Sequence, residues 1–207
     1  MEKNSILKKI GILGGTFNPI HIGHLILAQN ALEHCGLDKV LIMPSGCSYL
    51  KDPKNIADKD HRLAMVRLAT EDNDSFCVST IETEREGNSY TCDTLKILVG
   101  DNPDTQYYYI IGEDILFTID KWKDPEGIFS RCTIVCAQRE NQPDDGLKDR
   151  IRHLENEYNA KVILMDVPEI AVSSSMIRKL ISEGKSCRYY LDEKVMNYIK
   201  ENHLYEV

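Results

Sequence analysis

The sequence predicts an α/β fold built on a doubly wound parallel sheet with a small C-terminal helical cap. Three observations predict it. Apolar runs of strand length recur along the 207 residues, segments of helical periodicity separate most of them, and the first run leads through a glycine turn straight into a helix. Strands that are apolar throughout must be covered on both faces, as in parallel sheets whose crossovers are helices. In such Rossmann-like sheets ligands collect beyond the carboxyl ends of the strands.

The elements follow in order. Lys9–Leu13 is the first strand, and Gly23–Cys35 is the helix after the turn, stopped by Gly36. Val40–Pro44, Phe76–Ser79, Gln106–Gly112, Thr133–Ala137 and Val162–Asp166 are further strands. Between them the pattern predicts helices over Lys59–Glu71, over Thr91–Val99 with Gly100 ending it, and over Asp145–Tyr158. Beyond Asp166 the character changes. The serines of Ser173–Ser182 can cap a helix, and Glu193–Asn202 places Val195, Tyr198 and Ile199 on one side. We therefore expect a single domain over residues 1–207, with about 168–207 as its helical part. Gln138–Gly146 and Ser45–Asp58 are the loosest segments and the candidates for substrate-facing loops.

Composition narrows the function. A net charge of −8 argues against a general nucleic-acid surface, so an anionic substrate must be met by locally gathered positive groups. The seven cysteines are odd in number and scattered without a Cys-x-x-Cys pair, which disfavours disulfide and zinc frameworks. Cys132 and Cys136, around Thr-Ile-Val, read as small core residues. No apolar run reaches the length of a membrane span. A cytoplasmic protein is expected, and homo-oligomerisation is left open.

The glycine turn carries the first chemistry. Gly14 and Gly15 can take positive φ and leave room for a ligand, and Pro19 breaks regular structure in the loop. His21 and His24 then fall three apart at a helix start, with Gly23 between them. Helix N–H groups and the positive end of the dipole attract phosphate, and imidazoles add hydrogen bonds or charge near neutral pH. The plain alternative is a tight turn with two surface histidines. The pairing directly after two glycines favours a polyphosphate site.

Gly-Gly-Thr-Phe-Asn-Pro-Ile-His-Ile-Gly-His resembles the signature of the nucleotidyltransferase superfamily, and in its Gly-Gly-Thr-Phe form most resembles the nicotinate-nucleotide adenylyltransferases. Val172-Ser-Ser-Ser-Met-Ile-Arg178 is similar to their second motif; taken alone it is a common capped helix start. The resemblance implies adenylyl transfer from ATP to nicotinate mononucleotide, giving deamido-NAD and pyrophosphate in NAD biosynthesis. It further implies His21, His24 and Arg178 as catalytic groups, and Gly14, Gly15, Thr16, Phe17, Gly112, Asp114, Ser174, Ser175 and Ile177 with Arg178 around ATP. Mg²⁺ is implied as the companion of ATP, without a carboxylate cage in the chain.

For the mononucleotide the resemblance implies Asn18, Tyr90, Thr91 and Trp122. Lys51 and Arg139, each just beyond a predicted strand, are our candidates for its phosphate, against a default reading as solvated charges. From the residues alone Trp122 serves equally as a stacking platform or as a helix-end anchor, and Thr91 as a carboxylate donor or a cap. Gly112 and Asp114 likewise read as a ribose contact or as a strand end with an acidic helix turn. The chain departs from the family at Ser175, often threonine, at Asn18, often aspartate, and at Pro44–Lys51, which lacks a Pro-His-Lys form. The rivals fare worse. Phosphopantetheine adenylyltransferases fit the Gly-Gly-Thr-Phe start and the Trp poorly, a dinucleotide oxidoreductase needs a Gly-x-Gly-x-x-Gly that is absent, and a non-catalytic nucleotide sensor has no use for both histidines.

Overall fold

The computed structural model describes residues 8–46, 56–139 and 145–206. Six strands, β1 (Lys8–Gly15), β2 (Lys39–Pro44), β3 (Phe76–Val78), β4 (Thr105–Gly112), β5 (Cys132–Arg139) and β6 (Val162–Val167), form a parallel sheet in the order β3-β2-β1-β4-β5-β6. Helices flank it: α1 (Ile22–His34), α2 (Lys59–Thr70), α3 (Thr91–Asp101), α4 (Glu113–Leu116), α5 (Pro125–Phe129), α6 (Asp145–Tyr158), α7 (Ser174–Ser182) and α8 (Glu193–Glu201). The doubly wound sheet expected from the apolar runs is thus present, and the cause is visible in burial. Successive residues are buried on the four interior strands, Ile12 and Leu13 of β1, Ile42 and Met43 of β2, Ile110 and Ile111 of β4 and Ile134 and Val135 of β5, which covers these strands on both faces.

Local chemistry sets the helix ends. α1 stops before Gly36, whose φ of +57° is the left-handed cap that glycine adopts without steric cost. Asp58, Ser173 and Asp192 cap α2, α7 and α8, each accepting a backbone N–H of its own first turn. Gly100 departs from expectation. It lies inside the last turn of α3, which runs on to Asp101 and closes with the Asn102 N–H on the Leu98 carbonyl at 3.1 Å. α4, a 3-10 turn over Ile119–Lys121 and α5 occupy the β4–β5 connection and are too short to show periodicity. α5 is held by its ends: the Asp124 carboxylate accepts the Gly127 N–H at 3.1 Å, and Pro125 supplies a helical φ at the first position.

The described cysteines are free thiols, and burial pushes those of Cys132 and Cys136 up to about 12, so both behave as core residues. Among the described residues no helix is long and apolar enough to cross a membrane. The chain falls into two compact units. One comprises the described parts of Met1–Leu13, Asn30–Val40 and Tyr90–Pro168; the other comprises those of Gly14–Gln29, Leu41–Ser89 and Glu169–Val207. The C-terminal helices α7 and α8 belong to the second, where the Tyr198 hydroxyl meets His61 Nδ1 of α2 at 2.9 Å.

Candidate functional site

The second unit gathers the phosphate-motif residues. The loop leaving β1 turns at Phe17, which takes the left-handed φ of +47°, while neither Gly14 nor Gly15 has positive φ. The expectation for the glycines is corrected accordingly. Gly15 is needed for space, since a Cβ there would come within 2.9 Å of the Phe17 ring. Phe17 is 2% exposed and meets His24 edge-on, with ring centroids 5.0 Å apart. The Asn18–Pro19 bond that follows is cis. Gly23 likewise leaves room for the His21 ring, 3.1 Å from where its Cβ would stand.

His21 stands at the N-cap of α1 and His24 three residues on. The His21 backbone N–H donates to His24 Nδ1 at 3.2 Å, while the His21 carbonyl accepts the His24 N–H at 2.9 Å, a reciprocal arrangement like a capping box. With Nδ1 accepting, a neutral His24 carries its proton on Nε2. The two rings stack with centroids 3.7 Å apart. Burial pushes the His21 imidazole down to about 4, so it is neutral at pH 7. Its Nδ1 is buried and meets no hydrogen-bond partner among the described residues. The first N–H of α1 is not offered to a ligand as the sequence suggests, because Ile22 donates to the Tyr190 carbonyl at 3.0 Å.

α7 reaches the same loop. Arg178 Nη1 donates to the Asn18 carbonyl at 2.8 Å and the Ser174 hydroxyl to the Pro19 carbonyl at 2.9 Å. Ser175 Oγ lies 3.4 Å from Arg178 Nη2, Ser173 caps the helix, and Ile177 is fully buried beneath it. Each serine of the triplet therefore has a separate task. Arg178 also lines an open cavity of about 610 Å³ together with Lys179, Ser182 and Tyr205.

Sequence reasoning missed Arg62. It is 2% exposed and donates to three carbonyls, those of Thr16 at 2.8 Å, Gly46 at 2.9 Å and Ala57 at 3.0 Å. Burying a guanidinium costs several kcal/mol unless its donors are engaged. Here one side chain ties the loop, the end of β2 and the approach to α2. Asn18 extends the clamp: its Oδ1 accepts the Ala57 N–H at 3.0 Å and the Tyr205 hydroxyl at 2.8 Å. Burial raises the Tyr205 phenol above its ordinary range, which keeps that proton in place.

The first unit gathers the aromatic residues. Tyr90 precedes α3 and Thr91 opens it, and the Tyr90 side chain makes no capping bond to that end. Thr91 Oγ1 lies 3.3 Å from the Tyr109 hydroxyl, and the half-buried Trp122 meets the Tyr109 ring edge-on at 6.4 Å. Lys123 pairs with Asp93 at 2.9 Å and stands 4.4 Å over the Tyr90 ring. A second missed residue, Arg150, braces this segment through a forked pair with Asp120, at 2.6 and 3.0 Å, and a bond to the Leu116 carbonyl. Arg150 holds the Asp120 carboxyl below its usual range. Gly112 ends β4, and the exposed Asp114 lies so close that a Cβ on Gly112 would stand 2.9 Å from its Oδ1. Lys51 and the Arg139 side chain lie outside the described residues, as do most of the two loose loops.

Comparison with known proteins gives a consistent result. The family described as cytidylyltransferase-like matches residues 12–180. The probable nicotinate-nucleotide adenylyltransferase of Lachnoclostridium phytofermentans is 43% identical over 96% of this chain and 100% of its own length. Its counterpart from Enterococcus faecalis is 40% identical over 96% of this chain and 85% of its own length. Among solved structures, a Plasmodium falciparum nicotinic acid mononucleotide adenylyltransferase complexed with NaAD aligns at TM-score 0.79, covering 96% of this chain and 97% of that one. At 19% identity that likeness is one of fold.

Two outcomes follow for stability. Arg62→Met strands three carbonyls and should lower the unfolding free energy by about 3 kcal/mol or more; denaturant titration giving a loss below about 1 kcal/mol would remove the clamp from the account. His21 has a folded value of about 4 against 6.5 unfolded. Its contribution is complete above pH 6.5 and declines as pH falls toward 4, since the unfolded chain there takes up a proton that the folded one refuses. Unfolding measured across pH 4–8 should show a steeper acid loss for the wild type than for His21→Gln, by on the order of 3 kcal/mol. Parallel curves would contradict the neutral, buried imidazole.

Proposed function

Because this chain belongs to the cytidylyltransferase-like family, we infer that it transfers the adenylyl group of ATP to nicotinate mononucleotide, forming nicotinate adenine dinucleotide and pyrophosphate in NAD biosynthesis. The observation that carries the reading is a convergence. The histidine pair follows directly on the loop whose Asn18 and Pro19 carbonyls are held by Arg178 and Ser174, residues that lie far along the chain from His24. The names of the full-length relatives support the acceptor.

A phosphate oxygen of the mononucleotide attacks the α-phosphorus in line. The new O–P bond forms as the bond from the α-phosphorus to the bridging oxygen breaks, and that oxygen leaves with pyrophosphate. No protein nucleophile is required, so positioning and fixed donors carry the catalysis. His24, its Nδ1 engaged, would present Nε2–H to the phosphate oxygens. His21 is the neutral second donor, charged only where a polyphosphate repays its desolvation. Arg178 would bind the outer phosphates with its planar fork, backed by Ser174, Ser175 and the backbone at Ile177. Gly14, Gly15, Thr16 and Phe17 would border the nucleotide, and Gly112 and Asp114 its ribose.

The described residues assemble no group of three His, Cys, Asp or Glu side chains fit to hold a metal. As the companion of ATP, Mg²⁺ would be held largely by phosphate oxygens and water and would offset the charge of the polyphosphate. For the acceptor, the start of α3 at Tyr90 and Thr91 suits the pyridine carboxylate, and Trp122 suits the ring. Asn18, Lys51 and Arg139 remain the candidates for the mononucleotide phosphate.

The purified protein, given MgATP and in parallel nicotinate mononucleotide, nicotinamide mononucleotide or phosphopantetheine, should release pyrophosphate fastest with the first. His24→Ala should keep part of the ATP affinity while kcat falls about 10²–10³-fold, the loss expected for one fixed donor to a developing charge. Unchanged turnover in that variant would remove the mechanism, and turnover of phosphopantetheine alone would remove the acceptor.

A further inference from the structure

The tyrosines of β4 have a role that the reaction does not by itself require. Alternation puts Tyr107, Tyr109 and Ile111 on one face of the strand. Two of these phenols reach α3 at opposite ends: Tyr107 donates to the Leu98 carbonyl at 3.0 Å, and the Tyr109 hydroxyl stands 3.3 Å from Thr91 Oγ1. β4 is an interior strand, paired at Tyr109 with Ile12 on one side and Ile134 on the other, so this phenol is carried on a rigid element. The same side chain touches Trp122, its ring edge-on with the planes at 88°. Tyr109 thus contacts both groups assigned to the pyridine ring of the acceptor.

We propose that Tyr109 is a positioning residue that sets the preference for an acid over an amide mononucleotide. The inference rests on the function proposed above and adds the origin of its selectivity. A phenol is a stronger hydrogen-bond donor than an aliphatic alcohol, so in the Tyr109–Thr91 pair the phenol donates and Thr91 Oγ1 accepts. The Thr91 proton must then turn outward, and the bond it receives makes it a better donor. An outward O–H beside a helix start is complementary to a carboxylate, which only accepts. A carboxamide can turn its NH₂ to the same place, where it meets a donor. Without the phenolic O–H, the Thr91 hydroxyl rotates freely and can accept as readily as donate.

Trp122 is the single tryptophan and provides a readout independent of turnover. Tyr109→Phe keeps the ring and removes the hydroxyl. We expect kcat/KM for nicotinate mononucleotide to fall about five- to tenfold, with that for nicotinamide mononucleotide changed less than about twofold and Trp122 emission unmoved. Tyr109→Leu removes the ring as well, so Trp122 emission shifts and both substrates lose activity. A folded Tyr109→Phe protein with the acid-to-amide ratio of the wild type overturns the inference while leaving the proposed function standing. A wild type that turns over neither mononucleotide overturns both.

Discussion

Three carbonyls in the loop after β1 determine what the rest of the second unit can do. Those of Thr16, Asn18 and Pro19 are drawn onto Arg62, Arg178 and Ser174. A loop of this kind, with a non-glycine residue in the left-handed region at Phe17, holds one shape only where its surroundings over-determine it. The guanidiniums, the Phe17 ring packed on His24, and the Asn18 side chain held by Ala57 and Tyr205 supply that determination. The histidines follow directly on the clamped segment, so their placement is inherited from it.

The electrostatics follow from the same geometry. A chain of net charge −8 offers an anion no general attraction, yet Arg62 and Arg178 concentrate positive charge on one turn. Within a partly buried site such charges are screened far less than on the surface. The imidazoles add directionality more than charge: His21 is neutral by burial, and the bond that fixes His24 Nδ1 selects the tautomer whose proton is on the outer nitrogen. Donors arranged before the substrate arrives need no reorganisation when charge develops on the phosphate oxygens.

Much of this was legible in the sequence, for physical reasons that also explain the gaps. The apolar runs mark the strands because an interior parallel strand is buried on both faces, and Gly36 and the serines at Ser173 mark helix ends through local backbone chemistry. The two phosphate motifs could be paired because each has a fixed local spacing. What local pattern cannot carry is a contact between distant residues. Arg62 reads as an ordinary helix cation, and its value comes from a carbonyl 46 positions away. Arg150 and Tyr109 matter through partners 30 and 18 positions away. Glycine misled in two places: Gly15 makes room for the Phe17 ring without the positive φ expected of it, and Gly100 sits inside a helix it was expected to end.

We propose that the clamped loop, the paired imidazoles and Arg178 hold one triphosphate. A crystal structure of the protein with Mg²⁺ and a non-hydrolysable ATP analogue tests it most directly. Phosphate oxygens are expected within hydrogen-bond distance of His24 Nε2 and of the Arg178 guanidinium, with the Thr16, Asn18 and Pro19 carbonyls still on their present donors. A triphosphate bound away from both side chains, or reached only after those three bonds break, would contradict it.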